Sequence, residues 1–153
     1  MTLEMIQEAN GATAIGIFLL ADGFYAAARE ASRTRHKTTN GPTRLLCYHA
    51  CELFLKAFLR QHGEDVDTLR AYGHDLGKML ESAKAKGLLP AKRAERAITR
   101  IVDQNDYVRA RYMVVETEED LSAEEVLRLA ERVRGAVRHA LRLDEFGMPL
   151  GQL

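Results

Sequence analysis

The sequence predicts an all-α protein that folds as an antiparallel up-down bundle of four to five helices. Apolar residues recur at helical spacing in five segments, and no segment has the alternating pattern of a confident strand. The connections between these segments are short, which favours antiparallel neighbours. The composition, 46% hydrophobic and 29% charged, fits one globular domain over residues 1–153, whose core we place at about residues 13–143.

Two helices are predicted in the first half of the chain. Apolar residues lie on one helical face over residues 13–32. A polar, basic connection over residues 33–41 follows and is rich in turn-forming residues. The second helix, residues 42–61, starts at a proline, stops before Gly63 and carries the clearest apolar stripe, which consists of Leu46, Ala50, Leu53, Phe54, Ala57 and Phe58.

Two more helices are predicted before an ambiguous stretch. The third helical segment is composite, with a short turn over residues 67–72 and a helix over residues 75–86. A proline then starts a fourth helix over residues 90–106. Residues 107–117 fit either a continuation of that helix or an extended arm.

The last helix has the strongest start motif. Ser122 and Glu125 form the capping box S-x-x-E, in which each side chain satisfies the backbone of the other. The helix then spans residues 123–142 with apolar residues at core spacing. We expect the tail from residue 144 to fray, because it contains glycine and proline.

The overall composition bounds the location and the ligands only weakly. The 22 basic and 22 acidic residues give no net charge, so global charge indicates neither nucleic acid nor a membrane surface. Residues 1–10 lack a signal-peptide pattern, and the longest apolar run, residues 15–21, is too short to span a bilayer. We therefore expect a cytoplasmic protein without membrane contact. Cys47 and Cys51 lie in an apolar helical run and are interpreted as reduced core residues.

Charges are nevertheless distributed unevenly along the chain. Residues 78–111 hold nine bases against four acids, residues 116–125 hold six acids and no base, and the loop at residues 33–37 is basic. One interpretation is solvated helix faces, with acids near a helix N-terminus where the helix dipole favours them. The alternative is a basic surface for phosphate, with an acidic segment that shields this surface or meets a partner.

Two consecutive stretches in the middle of the chain carry an ordered series of motifs. The run YHACELFLKAFLRQHG, residues 48–63, places Glu52 and Lys56 one turn apart and ends on a glycine. The stretch GHDLGKMLESAKAKGL, residues 73–88, opens with a His-Asp-Leu box. In this order the motifs resemble the HEPN domain family, in which an Ala-rich helix with a Glu and a Lys precedes an HDL box that opens the next helix.

The resemblance extends over about residues 18–143. The segment FLLADGFYAAAREA, residues 18–31, fits the family's opening helix, and NDYVRARY, residues 105–112, is similar to the Tyr…Arg-Tyr segment before its last helix. The resemblance implies a single HEPN-like domain, a four- or five-helix bundle that is commonly dimeric. We therefore expect a homodimer formed through helix faces.

The resemblance also implies two kinds of function. Many HEPN proteins are RNases in which an Arg and a His of an R-x4-6-H motif converge across the dimer and cleave RNA without a metal. Others lack the motif and bind nucleotides or RNA, or act with a nucleotidyltransferase. Here Arg109 and Arg111 occupy the neighbourhood of the motif, but residues 113–120 contain no histidine.

The missing histidine favours a binding module over an enzyme. The preferred hypothesis is a HEPN-like helical module for RNA, a nucleotide or a protein partner, including a nucleotidyltransferase partner in a toxin–antitoxin pair. The alternative is a metal-independent RNase toxin, in which His49 or His74 completes a site with Arg109 or Arg111. Two further R-x4-H spacings are attributed to chance among 22 bases and five histidines, namely Arg44 with His49 and Arg134 with His139.

The candidate binding residues are polar groups within the family motifs, and no residue is assigned a catalytic role. The arginines and tyrosines combine phosphate donors with stacking rings, with structural contacts inside the bundle as the alternative. The other groups either cap a helix or form a polar surface cluster, or they line a pocket. We expect no metal and no cofactor, because the His-x-x-Glu order here reverses that of di-iron bundles. The candidates are His49, Glu52, Lys56, His74, Tyr107, Arg109, Arg111 and Tyr112.

Overall fold

The computed structural model describes residues 3–8, 11–34, 38–113 and 116–151. Residues 35–37 of the predicted basic loop and residues 114–115 of the ambiguous stretch lie outside the described residues. The described part of the chain is mostly helical, which confirms the predicted all-α class. Its helices are α1 (Leu3–Ile6), α2 (Ala14–Arg33), α3 (Gly41–Gln61), α4 (Val66–Ala71), α5 (Leu76–Ala85), α6 (Lys92–Asp103), α7 (Asp106–Tyr112) and α8 (Ala123–Ala140).

Helix α3 is the central element of the bundle. It packs against α2 along most of its length, against α8 on another side, and against α5 and α7. A small antiparallel hairpin, β1 (Gln7–Glu8) with β2 (Gly11–Ala12), precedes α2. Within the described ranges, no helix combines the length and the apolar character that a membrane span requires.

Side-chain caps fix where several helices begin. The Thr13 hydroxyl accepts from the Gly16 amide at the start of α2. The predicted capping box is present, because Ser122 Oγ accepts from the Glu125 amide at 3.1 Å and Glu125 Oε2 accepts from the Ser122 amide at 2.7 Å. These bonds satisfy amides that have no partner inside the helix.

The predicted fourth helix is interrupted at its end. Helix α6 stops at Asp103, and Asn105 adopts a left-handed backbone with φ of 52° before α7 begins. Asparagine tolerates this conformation better than most residues do. The break turns Asp106 and Tyr107 into the bundle, which a continuous helix over residues 90–106 does not do.

The C-terminal tail is predicted to fray, but its backbone is hydrogen-bonded and lies against the bundle. The Asp144 amide donates to the Met148 carbonyl at 2.7 Å, and the Leu150 amide donates to the Arg142 carbonyl at 2.9 Å. Gly147 has a φ of 80° and lies against the Phe18 ring, which a β-carbon there meets at 3.1 Å. Glycine is therefore required both by the backbone conformation and by the close approach.

The two cysteines are inert core residues. Cys47 and Cys51 are unpaired and fully buried on α3. Burial raises the pKa of the Cys47 thiol to about 12, so the reactive thiolate is scarce at neutral pH. This agrees with their interpretation as reduced core residues.

Candidate functional site

One face of α3 carries a line of polar residues into the bundle. Arg44, Tyr48, Glu52 and Lys56 follow one another at intervals of four residues, which places them along one side of the helix. The first three are at most 2% exposed. We call these four residues the polar stripe. Buried polar groups need partners, and α7 together with the α4–α5 connection supplies them.

The first half of the polar stripe binds a carboxylate of α7. Arg44 Nε and Nη2 donate to the two Asp106 oxygens at 3.2 and 2.5 Å, and the Tyr48 hydroxyl donates to the same carboxylate. Arg44 and Asp106 are 2% and 1% exposed. Such a pair is stabilising only as a complete unit, because removing either partner leaves a buried charge uncompensated.

The second half of the polar stripe is organised around Glu52. Four side chains from three parts of the chain point their polar atoms at its carboxylate. The Tyr107 hydroxyl lies 2.5 Å from Oε2 and Lys56 Nζ lies 2.8 Å from Oε1. The His74 and His49 Nδ1 atoms lie 2.9 and 3.3 Å from Oε2. We call these five residues the Glu52 cluster.

Glu52 stays ionised despite its position. Burial alone raises the pKa of this carboxyl, but the hydrogen bonds from His49, Lys56, Tyr107 and His74 together outweigh burial and hold the pKa well below its ordinary value. The opposite holds for Tyr107, whose pKa is raised by burial and by the neighbouring Glu52 charge. The site therefore contains a fixed negative charge surrounded by donors.

Glu52 also orients two imidazole rings. Because both histidines face the carboxylate with Nδ1, their Nε2 atoms are left without a hydrogen-bond partner among the described residues. The side chains of His49 and His74 are 32% and 49% exposed. His74 is not a helix cap, since Asp75 accepts from the Lys78 amide at the start of α5. Imidazoles held in this way present Nε2 to solvent as a proton acceptor.

Two clefts open beside the cluster. One, of about 280 Å³, is walled by Phe24, Leu45 and Leu46. The other, of about 270 Å³, lies against α6 and the start of α5. Both clefts share three lining residues, which are His74, Tyr107 and Arg111.

Arg111 stands between the two clefts. Its guanidinium carbon lies 4.9 Å from the centroid of the Tyr107 ring, the distance of a cation–π contact. The side chain is exposed, and no carboxylate of the described residues lies within ion-pair distance of it. Arg111 is thus held against the Tyr107 side chain without a carboxylate partner among the described residues.

Arg109 and Tyr112 lie outside the Glu52 cluster and its two clefts, although Tyr112 lines a further cleft together with Arg111. Arg109 donates to both oxygens of Asp120 at 2.7 and 3.3 Å and lies 3.5 Å from Asp106. Its charge is therefore compensated within the protein by the acidic segment. Tyr112 is 79% exposed at the end of α7. The structure brings together the other six candidates, which are His49, Glu52, Lys56, His74, Tyr107 and Arg111.

The two R-x4-H spacings do not form sites. Arg44 is bound to Asp106, whereas His49 faces Glu52. Arg134 donates to Asp22 at 2.5 and 3.1 Å, and His139 is exposed. Sequence reasoning weighed Arg44 only as half of such a pair and missed its ion pair. The sequence signal that could have revealed this ion pair is the four-residue spacing of polar residues along the otherwise apolar helix α3.

Hydrogen-bond donors of the protein surround the Glu52 carboxylate. With His74 Nδ1 at 2.9 Å and Lys56 Nζ at 2.8 Å, the carboxylate is coordinated by protein donors. Over the described ranges, no group of three or more His, Cys, Asp or Glu side chains is arranged to hold a metal ion. The arrangement suits anion and proton chemistry.

We predict that Glu52→Gln lowers the stability of the fold and flattens its dependence on acid. A group with a depressed pKa stabilises the folded state above its ordinary pKa of 4.5 and loses that contribution as the pH falls through the folded value. Removing the charge weakens the hydrogen bonds from Tyr107 and Lys56 and costs roughly 1–3 kcal/mol at neutral pH. Urea denaturation between pH 3 and 7 measures both effects.

The control is Glu81→Gln, because the Glu81 side chain is 76% exposed. This variant is expected to follow the wild-type curve within about 0.5 kcal/mol. If Glu52→Gln and the wild type lose stability in parallel below pH 5, the carboxylate is not held charged in the way described.

The sequence profile of the HEPN domain family matches residues 21–140, well over half of the chain. Neither the curated proteins nor the solved structures gave a significant match. The matched stretch contains the whole polar stripe, the Glu52 cluster and Arg111. The chain, predicted and found to be a helical bundle with these motifs in order, belongs to the HEPN domain family.

Proposed function

We propose that this HEPN domain is a binding module that takes a nucleotide, free or as part of single-stranded RNA, in the clefts around Arg111. The observation that carries the proposal is the position of Arg111. It is an exposed guanidinium fixed on the Tyr107 ring, with no carboxylate partner in the described part of the chain. Arginine in such a position is suited to bidentate contact with phosphate.

The walls of the clefts suit the remainder of a nucleotide. Phe24, Leu45 and Leu46 offer apolar surface to a base or ribose in one cleft, and Val102 and Val108 do so in the other. The Nε2 atoms of His49 and His74 add hydrogen-bonding groups at the border of these surfaces. Each cleft is close to the lower limit of about 300 Å³ for small-molecule sites, which fits one nucleotide rather than a large ligand.

Metal-independent RNA cleavage is the second candidate. Such cleavage needs a proton acceptor near the 2′-hydroxyl and a cation near the phosphate. His49 and His74, each oriented by Glu52, face clefts that also contain Arg111. This juxtaposition supports the relocated-histidine hypothesis, while the missing histidine in residues 113–120 opposes it.

We further propose that the protein acts in the cytoplasm as a homodimer, paired with a nucleotidyltransferase in a toxin–antitoxin system. The unpaired cysteines support a reducing compartment. The outward face of α2 supports self-association, since Leu20 is 55% exposed there. The pairing is tested by the neighbouring reading frame, which we expect to encode a nucleotidyltransferase.

We predict that Arg111→Ala weakens binding of a fluorescein-labelled oligo(U) 12-mer about tenfold or more. One charge-assisted contact is lost, worth roughly 1.5–3 kcal/mol. The slope of log K against log salt is expected to fall by about 0.7, because one fewer counterion is released from a single strand. Fluorescence anisotropy from 50 to 250 mM NaCl measures both quantities.

Two variants serve as controls for this measurement. Arg70→Ala removes an exposed arginine of α4 that lines neither cleft, and is expected to bind as the wild type does. Arg109→Ala breaks the pair with Asp120, so its effect is expected on stability rather than on the salt slope. Failure of the wild type to bind at 50 mM NaCl contradicts the proposal.

We predict that the purified protein binds RNA without cutting it when EDTA is present. The assay follows a labelled RNA on a denaturing gel over hours. If the wild type cleaves RNA, and the cleavage rate falls at least about a hundredfold in His49→Ala or His74→Ala, the RNase hypothesis replaces the binding proposal. His139→Ala, at an exposed histidine of α8, is the matched control, and circular dichroism verifies that each variant is folded.

We predict that light scattering at micromolar concentration gives a mass near twice 17.2 kDa. Leu20→Arg is expected to shift the protein to the monomer, because it places a charge in the proposed apolar interface. Leu89→Arg is the control, since Leu89 is 89% exposed elsewhere on the surface. A wild type that is only monomeric contradicts the dimer.

A further inference from the structure

A second basic feature lies between α6 and α8, away from the Glu52 cluster. Five arginines line an open cleft of about 320 Å³ there. Three come from α6 and two from α8, and no lysine takes part. They are Arg93, Arg96, Arg100, Arg128 and Arg132, and we call the feature the arginine cleft.

The helical spacing explains why these side chains converge. On α6 the arginines follow at intervals of three and four residues, and on α8 at an interval of four, so each helix presents one row. The two helices pack against each other, and each has buried residues, such as Ile98 on α6 and Leu129 on α8. The rows therefore flank the same cleft. The α6 row is about 10 Å long, from a rise of about 1.5 Å per residue.

Three of the five arginines have no hydrogen-bond or ion-pair partner among the described residues, and a fourth, Arg100, is bound only by a backbone carbonyl. Arg100 donates to the Glu119 carbonyl, and Arg128 donates to Glu124 at 2.5 Å. In contrast, Arg93, Arg96 and Arg132 have no carboxylate within ion-pair distance anywhere in the described ranges. Like charges held together without partners repel one another, so the cleft is a strong attractor for anions.

The one carboxylate in the cleft is already engaged. Glu125 Oε2 accepts from the Ser122 amide in the capping box of α8. Two members of the neighbouring acidic segment are also directed elsewhere, because Asp120 binds Arg109 and Glu116 accepts from Thr39 at 2.6 Å. The protein thus places six acids next to the arginine cleft without neutralising Arg93, Arg96 and Arg132.

The floor of the cleft distinguishes between classes of ligand. It consists of Ala97, Leu121 and Leu129, all largely covered, and offers no deep pocket for an aromatic anchor. Protein interfaces usually depend on such anchors, whereas contacts to a nucleic-acid backbone need only charged and polar donors such as arginine. The lining therefore favours phosphate.

We infer that the arginine cleft binds the phosphodiester backbone of single-stranded RNA. A row of about 10 Å spans about three phosphates, at roughly 3.4 Å per nucleotide of a stacked strand. This binding site shares its ligand class with the proposed function but none of its residues, so either can hold without the other. Its contacts position a strand and carry no base specificity.

The test uses the full chain and the labelled oligo(U) 12-mer over 50 to 250 mM NaCl. The triple variant Arg93→Gln, Arg96→Gln, Arg132→Gln is expected to lower the salt slope by about 2, at about 0.7 for each lost phosphate contact. The double variant at the two exposed α6 positions, Arg93 and Arg96, is expected to lower the slope by about 1.4 and guards against misfolding of the triple.

The matched control removes the same charge elsewhere. Arg70→Gln, Lys78→Gln, Lys86→Gln changes three exposed bases that do not line the cleft, and is expected to alter the slope by less than about 0.5. Equal effects of the two triple variants overturn the inference, because net charge alone then explains binding. Binding of a poly-glutamate 12-mer with the same affinity and the same loss in the arginine variants overturns the assignment to RNA.

Combination with Arg111→Ala separates this inference from the proposed function. If the arginine variants lose slope and Arg111→Ala does not, the arginine cleft stands and the site at Arg111 falls. The reverse result overturns the arginine cleft and leaves the proposed function intact. No change in any of these variants, with a wild type that binds, overturns both.

Discussion

The buried ion pair of Arg44 with Asp106 is the constraint on which the arrangement of this domain depends. An arginine that is 2% exposed is costly without a counter-charge, and Asp106 of α7 supplies the closest one, with Glu116 and Asp120 further away at 3.7 and 3.9 Å. Asp106 is held against Arg44 and Tyr48 on α3. The next residue, Tyr107, therefore reaches Glu52, which lies one turn further along the same face of α3. The left-handed Asn105 makes this docking compatible with the direction of α6.

The Glu52 cluster then follows from the electrostatics of burial. A carboxylate in this position is tolerated because four donors surround it, and those donors become ordered as a result. The imidazoles of His49 and His74 and the guanidinium of Arg111 border the clefts. Contacts within the protein already hold these groups in place before any ligand is bound. The proposed binding site, held in this way, would lose little conformational entropy on taking up a ligand.

Features set by neighbouring residues, such as helix boundaries, could be predicted from the sequence. Contacts between residues far apart in the chain could not. The capping box at Ser122, the helix stop at Gly63 and the helical stripe of the second helix are set by neighbouring residues, and the structure contains all three. The family motifs pointed to six residues that the structure places close together, although they lie up to 62 positions apart in the chain. Arg109 illustrates the limit, since a count of charges cannot reveal that Asp120 already neutralises it.

The polar stripe on α3 has a consequence for the history of this domain. Each of its members is satisfied by a residue from a distant segment, as Arg44 is by Asp106 and Glu52 is by Tyr107 and His74. A single substitution therefore leaves an unpaired buried group and passes through a destabilised intermediate. Lineages are expected to exchange these positions as coordinated sets or to retain them all. The stripe should appear in homologous sequences as a block of covarying columns that links α3 to α7.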